Sequence, residues 1–104
     1  MMSDDDLLNE LQRAAFGYFL STCNPANGLI ADSSRENSPC SIAVVGFALS
    51  VYPIAVERGW MTRDIAVQRC LTTLRFFSTS DQSGAMASTG CHGFYFHFLD
   101  VETG

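Results

Sequence analysis

The stretch Ser38-Pro39-Cys40-Ser41-Ile42-Ala43-Val44-Val45-Gly46-Phe47-Ala48-Leu49-Ser50-Val51-Tyr52-Pro53-Ile54-Ala55-Val56 decides the fold. It carries no charged side chain, and its apolar residues fall on every face of a 3.6-residue period. A helix of that kind is buried all round or lies in a membrane. A span needs about 20 predominantly apolar residues, and Ser38, Pro39, Ser41, Ser50 and Pro53 interrupt this run. The reading is an inner helix over residues 39–58 of a larger helical assembly, with no membrane span. Ser38 is the expected N-cap, and Pro39 the first helical residue, where a missing N–H costs nothing. Pro53 predicts a kink. Gly59 suits the left-handed position after the helix and Trp60 the apolar contact beyond it, a Schellman stop.

Two further helices flank this one. Leu7, Leu8, Leu11, Ala14, Ala15, Tyr18 and Phe19 share one face of a helix from Ser3 to Cys23, with Ser3 as N-cap. Asp4, Asp5 and Asp6 then sit where the helix dipole favours negative charge, which explains them without a metal. Asn24-Pro25 ends the helix and Asn27-Gly28 is a turn dipeptide. After Thr62, a second cap, Val67, Cys70, Leu71, Leu74 and Phe77 predict the inward face of an amphipathic outer helix. Arg63, Gln68, Arg69, Thr72 and Arg75 face outward. Residues 78–92 read as a Ser/Thr/Gly-rich loop. Gly93-Phe94-Tyr95-Phe96-His97-Phe98-Leu99-Asp100 reads as a half-buried extended segment, with Phe94, Phe96 and Phe98 in the core.

The composition bounds the function. The 104 residues make one domain, and Leu, Ile, Val and Phe number 27, too many for a disordered chain. Charged residues are only 16%, against about 25% in an average domain. The chain therefore has more apolar surface than it can hide alone, so 1–104 is expected to be a single partial domain. The net charge is −5, from 6 basic and 11 acidic residues, and no Lys/Arg cluster occurs. Nucleic acid and anionic membranes have no electrostatic footing as partners. Cys23, Cys40, Cys70 and Cys91 include no CxxC pair, so free thiols are expected rather than a metal or redox site. The acidic start has no apolar run after it, so no signal peptide is read. That suggests the cytoplasm, or the periplasm if the true N-terminus lies upstream.

Specific strings accompany this order of elements. They are Leu11-Gln12-Arg13-Ala14-Ala15-Phe16-Gly17-Tyr18-Phe19, Gly28-Leu29-Ile30-Ala31-Asp32 with Ser33-Ser34-Arg35, Ser41-Ile42-Ala43, and Gly46-Phe47-Ala48-Leu49. Pro53-Ile54-Ala55-Val56-Glu57-Arg58-Gly59-Trp60, Thr73-Leu74-Arg75-Phe76-Phe77 and Gly93-Phe94-Tyr95-Phe96-His97-Phe98-Leu99-Asp100 follow. Together they resemble the N-terminal part of the bacterial glycoamylase-like glycoside hydrolases, a family that includes endo-β-1,2-glucanases. The resemblance implies an all-α fold: the first helical hairpins of an incomplete six-hairpin α/α barrel around a carbohydrate cleft, with a short extended aromatic segment. It implies an oligosaccharide or polysaccharide substrate, an acid and a base carboxyl acting with inversion, and no cofactor or metal. Family members are several times longer. The catalytic carboxyls are expected beyond Gly104, which leaves none assigned here.

In such a barrel the loops leading into inner helices share one end. Residues 24–38 and 78–104 would meet there, around the N-terminus of the second helix. Asp32, Arg35, Tyr95, His97 and Asp100 are the expected substrate-binding residues, with Glu36 and His92 nearby. Each also has a plain structural reading. Asp32 and Arg35 can form a loop ion pair, and His97 can be a satisfied core histidine. His92 beside Cys91 lacks the third group that a Cys/His nucleophile needs. Inverting carboxyls stand about 6.5–9.5 Å apart, and spacing singles out no pair among Asp32, Glu36, Asp100 and Glu102. The alternative function is a non-catalytic helical interaction module, completed by a partner chain or by self-association through helix 39–58.

Overall fold

A computed structural model describes residues 1–104. Three helices dominate: α1 (Asp4–Ser21), α2 (Ile42–Glu57) and α3 (Arg63–Ser78). Four two-residue strands add to them: β1 (Cys40–Ser41), β2 (Gly90–Cys91), β3 (Phe94–Tyr95) and β4 (Phe98–Leu99). β1 pairs antiparallel with β4, Cys40 opposite Leu99 and Ser41 opposite Phe98. β2 and β3 form a hairpin, Gly90 opposite Tyr95 and Cys91 opposite Phe94. His92, at its tip, has φ +51°.

The helix ends follow local chemistry. Ser3 caps α1 with a full capping box, its hydroxyl accepting from the Asp6 N–H while the Asp6 carboxylate accepts from the Ser3 N–H. α2 begins later than expected. Pro39 and Cys40 are extended, and Ser41 is the cap, its Oγ accepting from the Val44 N–H. The Pro39 carbonyl is engaged by the Asp32 N–H at 2.7 Å, which holds that residue in the loop-to-strand connection. At the other end the Trp60 N–H donates to Ala55 and the Gly59 N–H to Val56, with Gly59 at φ +75°. That is the expected Schellman pair. It aims Trp60 at Phe16, with ring centroids 5.6 Å apart.

The layers are thin. The principal extents are 56 × 29 × 19 Å and the radius of gyration is 15.3 Å, against about 13 Å for a compact domain near this length. One core cluster joins Phe16 of α1, Ile30, Ala48, Tyr52 and Ala55 of α2, and Ala66 of α3. The other joins Leu29, Cys40, Val45 and Leu99 at the start of α2. Leu29 and Ile30 are fully buried, and each contributes about 1.5–3 kcal/mol of apolar burial.

Several expected faces lie elsewhere. α2 is covered on one side only: Val45, Ala48, Tyr52 and Ala55 are buried, while Phe47 is 63% exposed and Ile54 is also exposed. On α3 the covered side carries Ala66, Cys70, Thr73, Phe76 and Phe77, and the stripe Val67, Leu71, Leu74 is open. Arg69, expected outward, leans over the Tyr52 ring at 5.8 Å. Leu7, Leu8 and Leu11 of α1 are exposed too. Ala48, Ala55 and Ala66 meet within the chain together with the larger Phe16 and Tyr52, and the exposed apolar side chains project where this chain supplies no neighbour. Phe94, Phe96 and Phe98 are exposed for the same reason, and of that segment only Leu99 is buried. No helix is long and apolar enough to cross a membrane.

Candidate functional site

The first loop is built by two asparagines. The Asn24 Oδ1 accepts from the Ala26 N–H, and the Asn27 Oδ1 accepts from the Leu29 N–H at 2.9 Å. Both side-chain amides then donate to a single distant acceptor, the Val101 carbonyl, each at 3.0 Å. Gly28 lies between them at φ +80°, pressed on Thr73 of α3, where a Cβ would stand 2.1 Å from Thr73 Oγ1. The Tyr18 hydroxyl donates to the Ala31 carbonyl. Residues 24–31 are thus fixed to α1, to α3 and to the C-terminal segment together.

That clamp sets the end of the molecule where the candidate rim forms. The Ile42 N–H, at the start of α2, donates to the His97 carbonyl at 2.9 Å. With the β1–β4 pairing, this brings residues 97–102 beside the 31–39 loop. A hollow of about 680 Å³ opens between them, within the size range of ligand sites. Arg35, Asn37 and Ser38 border it on one side, and Phe98, Asp100 and Glu102 on the other. Asn37 has φ +59°, a conformation asparagine tolerates better than most residues. The loop is held by Ser38 Oγ, which accepts from the Ser33 N–H at 3.0 Å, and by Ser33 Oγ, which accepts from the Arg35 N–H. It is not held by an Asp32–Arg35 ion pair.

Of the five expected residues, Arg35 and Asp100 share this hollow. Asp32 is exposed on the same loop, at the residue that engages Pro39. His97 is exposed rather than a core histidine, its ring edge-on to Phe98 at 4.4 Å. Its backbone, not its ring, joins α2. Tyr95 belongs to a different contact. Its hydroxyl donates to the Phe77 carbonyl at the end of α3, and its ring packs on Phe77 at 4.8 Å. Asn37, Ser38 and Phe98 were missed as lining residues. Asn37 reads as ordinary loop polarity, Ser38 as the cap of the second helix, and Phe98 as core.

Asp100 Oδ1 accepts from the Glu102 N–H at 2.8 Å and the Thr103 N–H at 3.1 Å. These two bonds hold its pKa below the usual aspartate range. Asp100 is therefore a fixed anion, suited to accept from a hydroxyl and unsuited to donate a proton near neutral pH. Glu102 borders the same hollow. No three His, Cys, Asp or Glu side chains converge in a metal-ligand group.

No protein-family profile matches the chain. In sequence it is 32% identical, over 108 aligned residues, to an exo β-1,2-glucooligosaccharide sophorohydrolase (non-reducing end) of Parabacteroides distasonis. The match covers 99% of this chain and 13% of that protein. Among solved structures, a candidate glucoamylase of Bacteroides uniformis superimposes with a TM-score of 0.84 at 28% identity, over all of this chain and 24% of the other. An endo-β-1,2-glucanase of Chitinophaga pinensis, solved with sophorotriose and glucose, superimposes with a TM-score of 0.80 at 23% identity, over 100% and 25%. The chain thus spans about an eighth of the sequence relative and a quarter of the structures. Within that span, the sequence resembles a β-1,2-glucooligosaccharide hydrolase and the fold resembles glucoamylase-like structures, which together support a fragment of that kind of glycoside hydrolase.

Proposed function

We propose that this chain is the N-terminal part of a β-1,2-glucan-active glycoside hydrolase, and that it supplies one wall of the substrate cleft rather than the acid and the base. The carrying observation is the sequence match to a β-1,2-glucooligosaccharide hydrolase along 99% of the chain. In this reading the three helices and the β1–β4 pair open a six-hairpin α/α barrel. The uncovered faces of α2 and α3 are then the surfaces that later hairpins cover.

The residues of the hollow suit a sugar. The Arg35 guanidinium offers donors, the Asp100 carboxylate is a fixed acceptor, and Phe98 offers an apolar face, while Asp32 and His97 extend the same rim. Hydrolysis with inversion needs one carboxyl that carries a proton and one that does not. Asp100, held as an anion by the Glu102 and Thr103 N–H groups, suits the second kind of role.

The test is a titration of the chain with sophorotriose, using cellotriose and laminaritriose as linkage controls, followed by amide chemical shifts. Shifts concentrated at residues 31–39 and 97–102, weakened at least several-fold by Arg35→Ala and by Asp100→Asn, are expected. No release of reducing ends is expected. Shifts scattered over the helices, no response at millimolar sugar, or turnover by the chain would overturn the reading.

A further inference from the structure

Asp100 and the first loop are joined through one peptide group. The Val101 carbonyl accepts from the side-chain amides of Asn24 and Asn27, each at 3.0 Å. The Glu102 N–H donates to Asp100 Oδ1 at 2.8 Å. That carbonyl and that N–H are the two ends of the same peptide. A trans peptide is planar, with its C=O and N–H pointing in opposite directions. Holding the oxygen therefore aims the N–H. The asparagine amides are oriented in turn: the Ala26 N–H donates to Asn24 Oδ1 at 3.0 Å, and the Leu29 N–H to Asn27 Oδ1 at 2.9 Å. Their NH2 ends are thus the ends that face Val101. Two runs of amide hydrogen bonds, all pointing the same way, merge at Val101 and finish on one carboxylate. Bonds in such a run polarise one another, so the last N–H becomes a better donor.

The turn does not supply this hold by itself. The Gly104 N–H closes it on the Asp100 carbonyl at 2.8 Å, and the Thr103 N–H adds a second bond to the carboxylate at 3.1 Å. Both lie within residues 100–104. Asn24 and Asn27 tie the turn to the body of the chain. Asn27 is only 7% exposed, and its neighbour Gly28 is seated on Thr73 of α3. The charged and titratable groups around Asp100 are Asp32, Arg35, His97 and Glu102. Its lowered pKa comes from the backbone bonds rather than from their charges. We propose that Asn24 and Asn27 are positioning residues for Asp100, holding through the Val101–Glu102 peptide the N–H that fixes its carboxylate in the hollow. Only the sugar arm of the test rests on the glucan reading.

The test follows the Asp100 carboxyl of the 104-residue chain by carbon-detected NMR, with the Glu102 amide proton as a second reporter. Asn24→Ala and Asn27→Ala should each move the Asp100 midpoint upward from the parent's. Each should also move the Glu102 amide proton upfield, as its hydrogen bond weakens. Gly59→Ala strains the chain at the other end of α2 and should change neither reporter. Asn27 is buried, so if its variant does not fold, Asn24→Ala at a half-buried position decides. In the parent, a through-bond coupling between Asn27 Nδ2 and the Val101 carbonyl carbon is expected. An unchanged Asp100 midpoint in the asparagine variants, an equal change in Gly59→Ala, or no such coupling in the parent overturns the proposal. Sophorotriose should bind Asn24→Ala several-fold more weakly than the parent. A parent that binds no sophorotriose strikes the glucan reading and leaves the Asp100 midpoint to decide this one. A parent that binds it, with an Asn24→Ala chain equal in midpoint and affinity, overturns the positioning role alone.

Discussion

Gly28→Ala tests whether the first loop is truly seated on α3. Two separable effects are expected. At φ +80° an alanine meets the left-handed penalty, roughly 1–2 kcal/mol. Its Cβ would also stand 2.1 Å from Thr73 Oγ1 and 2.9 Å from Thr73 Cα. The second contact is backbone of a helix, so no rotamer change relieves it. Overpacking of that kind costs about 1–3 kcal/mol, for a total of roughly 2–5 kcal/mol. Gly59→Ala is the internal control. Gly59 has nearly the same φ, +75°, but nothing lies within 4 Å of a Cβ placed there. It should cost only the conformational share, about 1–2 kcal/mol. Urea unfolding followed by far-UV circular dichroism at unchanged m-value measures both costs. If the two substitutions cost the same within about 0.5 kcal/mol, the close approach of Gly28 to Thr73 does not exist in solution.

Three other outcomes are expected. Ser41→Ala should cost about 1 kcal/mol; no loss by urea unfolding would remove Ser41 as the cap. Asp100 should titrate below ordinary aspartates by carbon-detected NMR. Because its folded-state pKa is depressed, its turn contributes fully above the unfolded-state pKa and is lost as pH falls through the folded one; a midpoint at or above that of a model peptide refutes the two backbone bonds. The exposed apolar faces of α2 and α3 should drive self-association in sedimentation, and Phe47→Lys should shift the chain toward monomer; a clean parent monomer contradicts this.

Local chemistry was legible in the sequence wherever one residue had one job. Ser3, Thr62 and the Gly59-Trp60 stop all act as read, because caps depend on nearest neighbours alone. Pro39 misled because Ser-Pro also starts a strand connection, and the difference lies in a partner, the Asp32 N–H, outside the helix. α3 was ambiguous for a deeper reason. It carries two apolar stripes, Ala66–Cys70–Thr73–Phe77 and Val67–Leu71–Leu74, and periodicity cannot rank them. Size suggests the larger as core, while the short approach to Gly28 selects the smaller. At the rim, Arg35 and Asp100 were legible as charged loop residues at one end. Tyr95 was not, because its contact with Phe77 depends on how the β2–β3 hairpin folds over α3.

The two amides of Asn24 and Asn27 that meet at Val101 also set an order of events during synthesis. Their acceptor lies 77 and 74 residues further along the chain, and the β1–β4 pair joins residues 59 and 57 apart. At about 5–20 residues per second, the ribosome releases that acceptor several seconds after the asparagines emerge. Over that interval the first loop lacks the C-terminal part of its clamp, although Tyr18, Cys40 and Thr73 precede Val101 in the chain. A nascent chain stalled before Val101 should present residues 22–31 as protease-sensitive, and one extended far enough for Val101 to clear the exit tunnel should protect them in a single step.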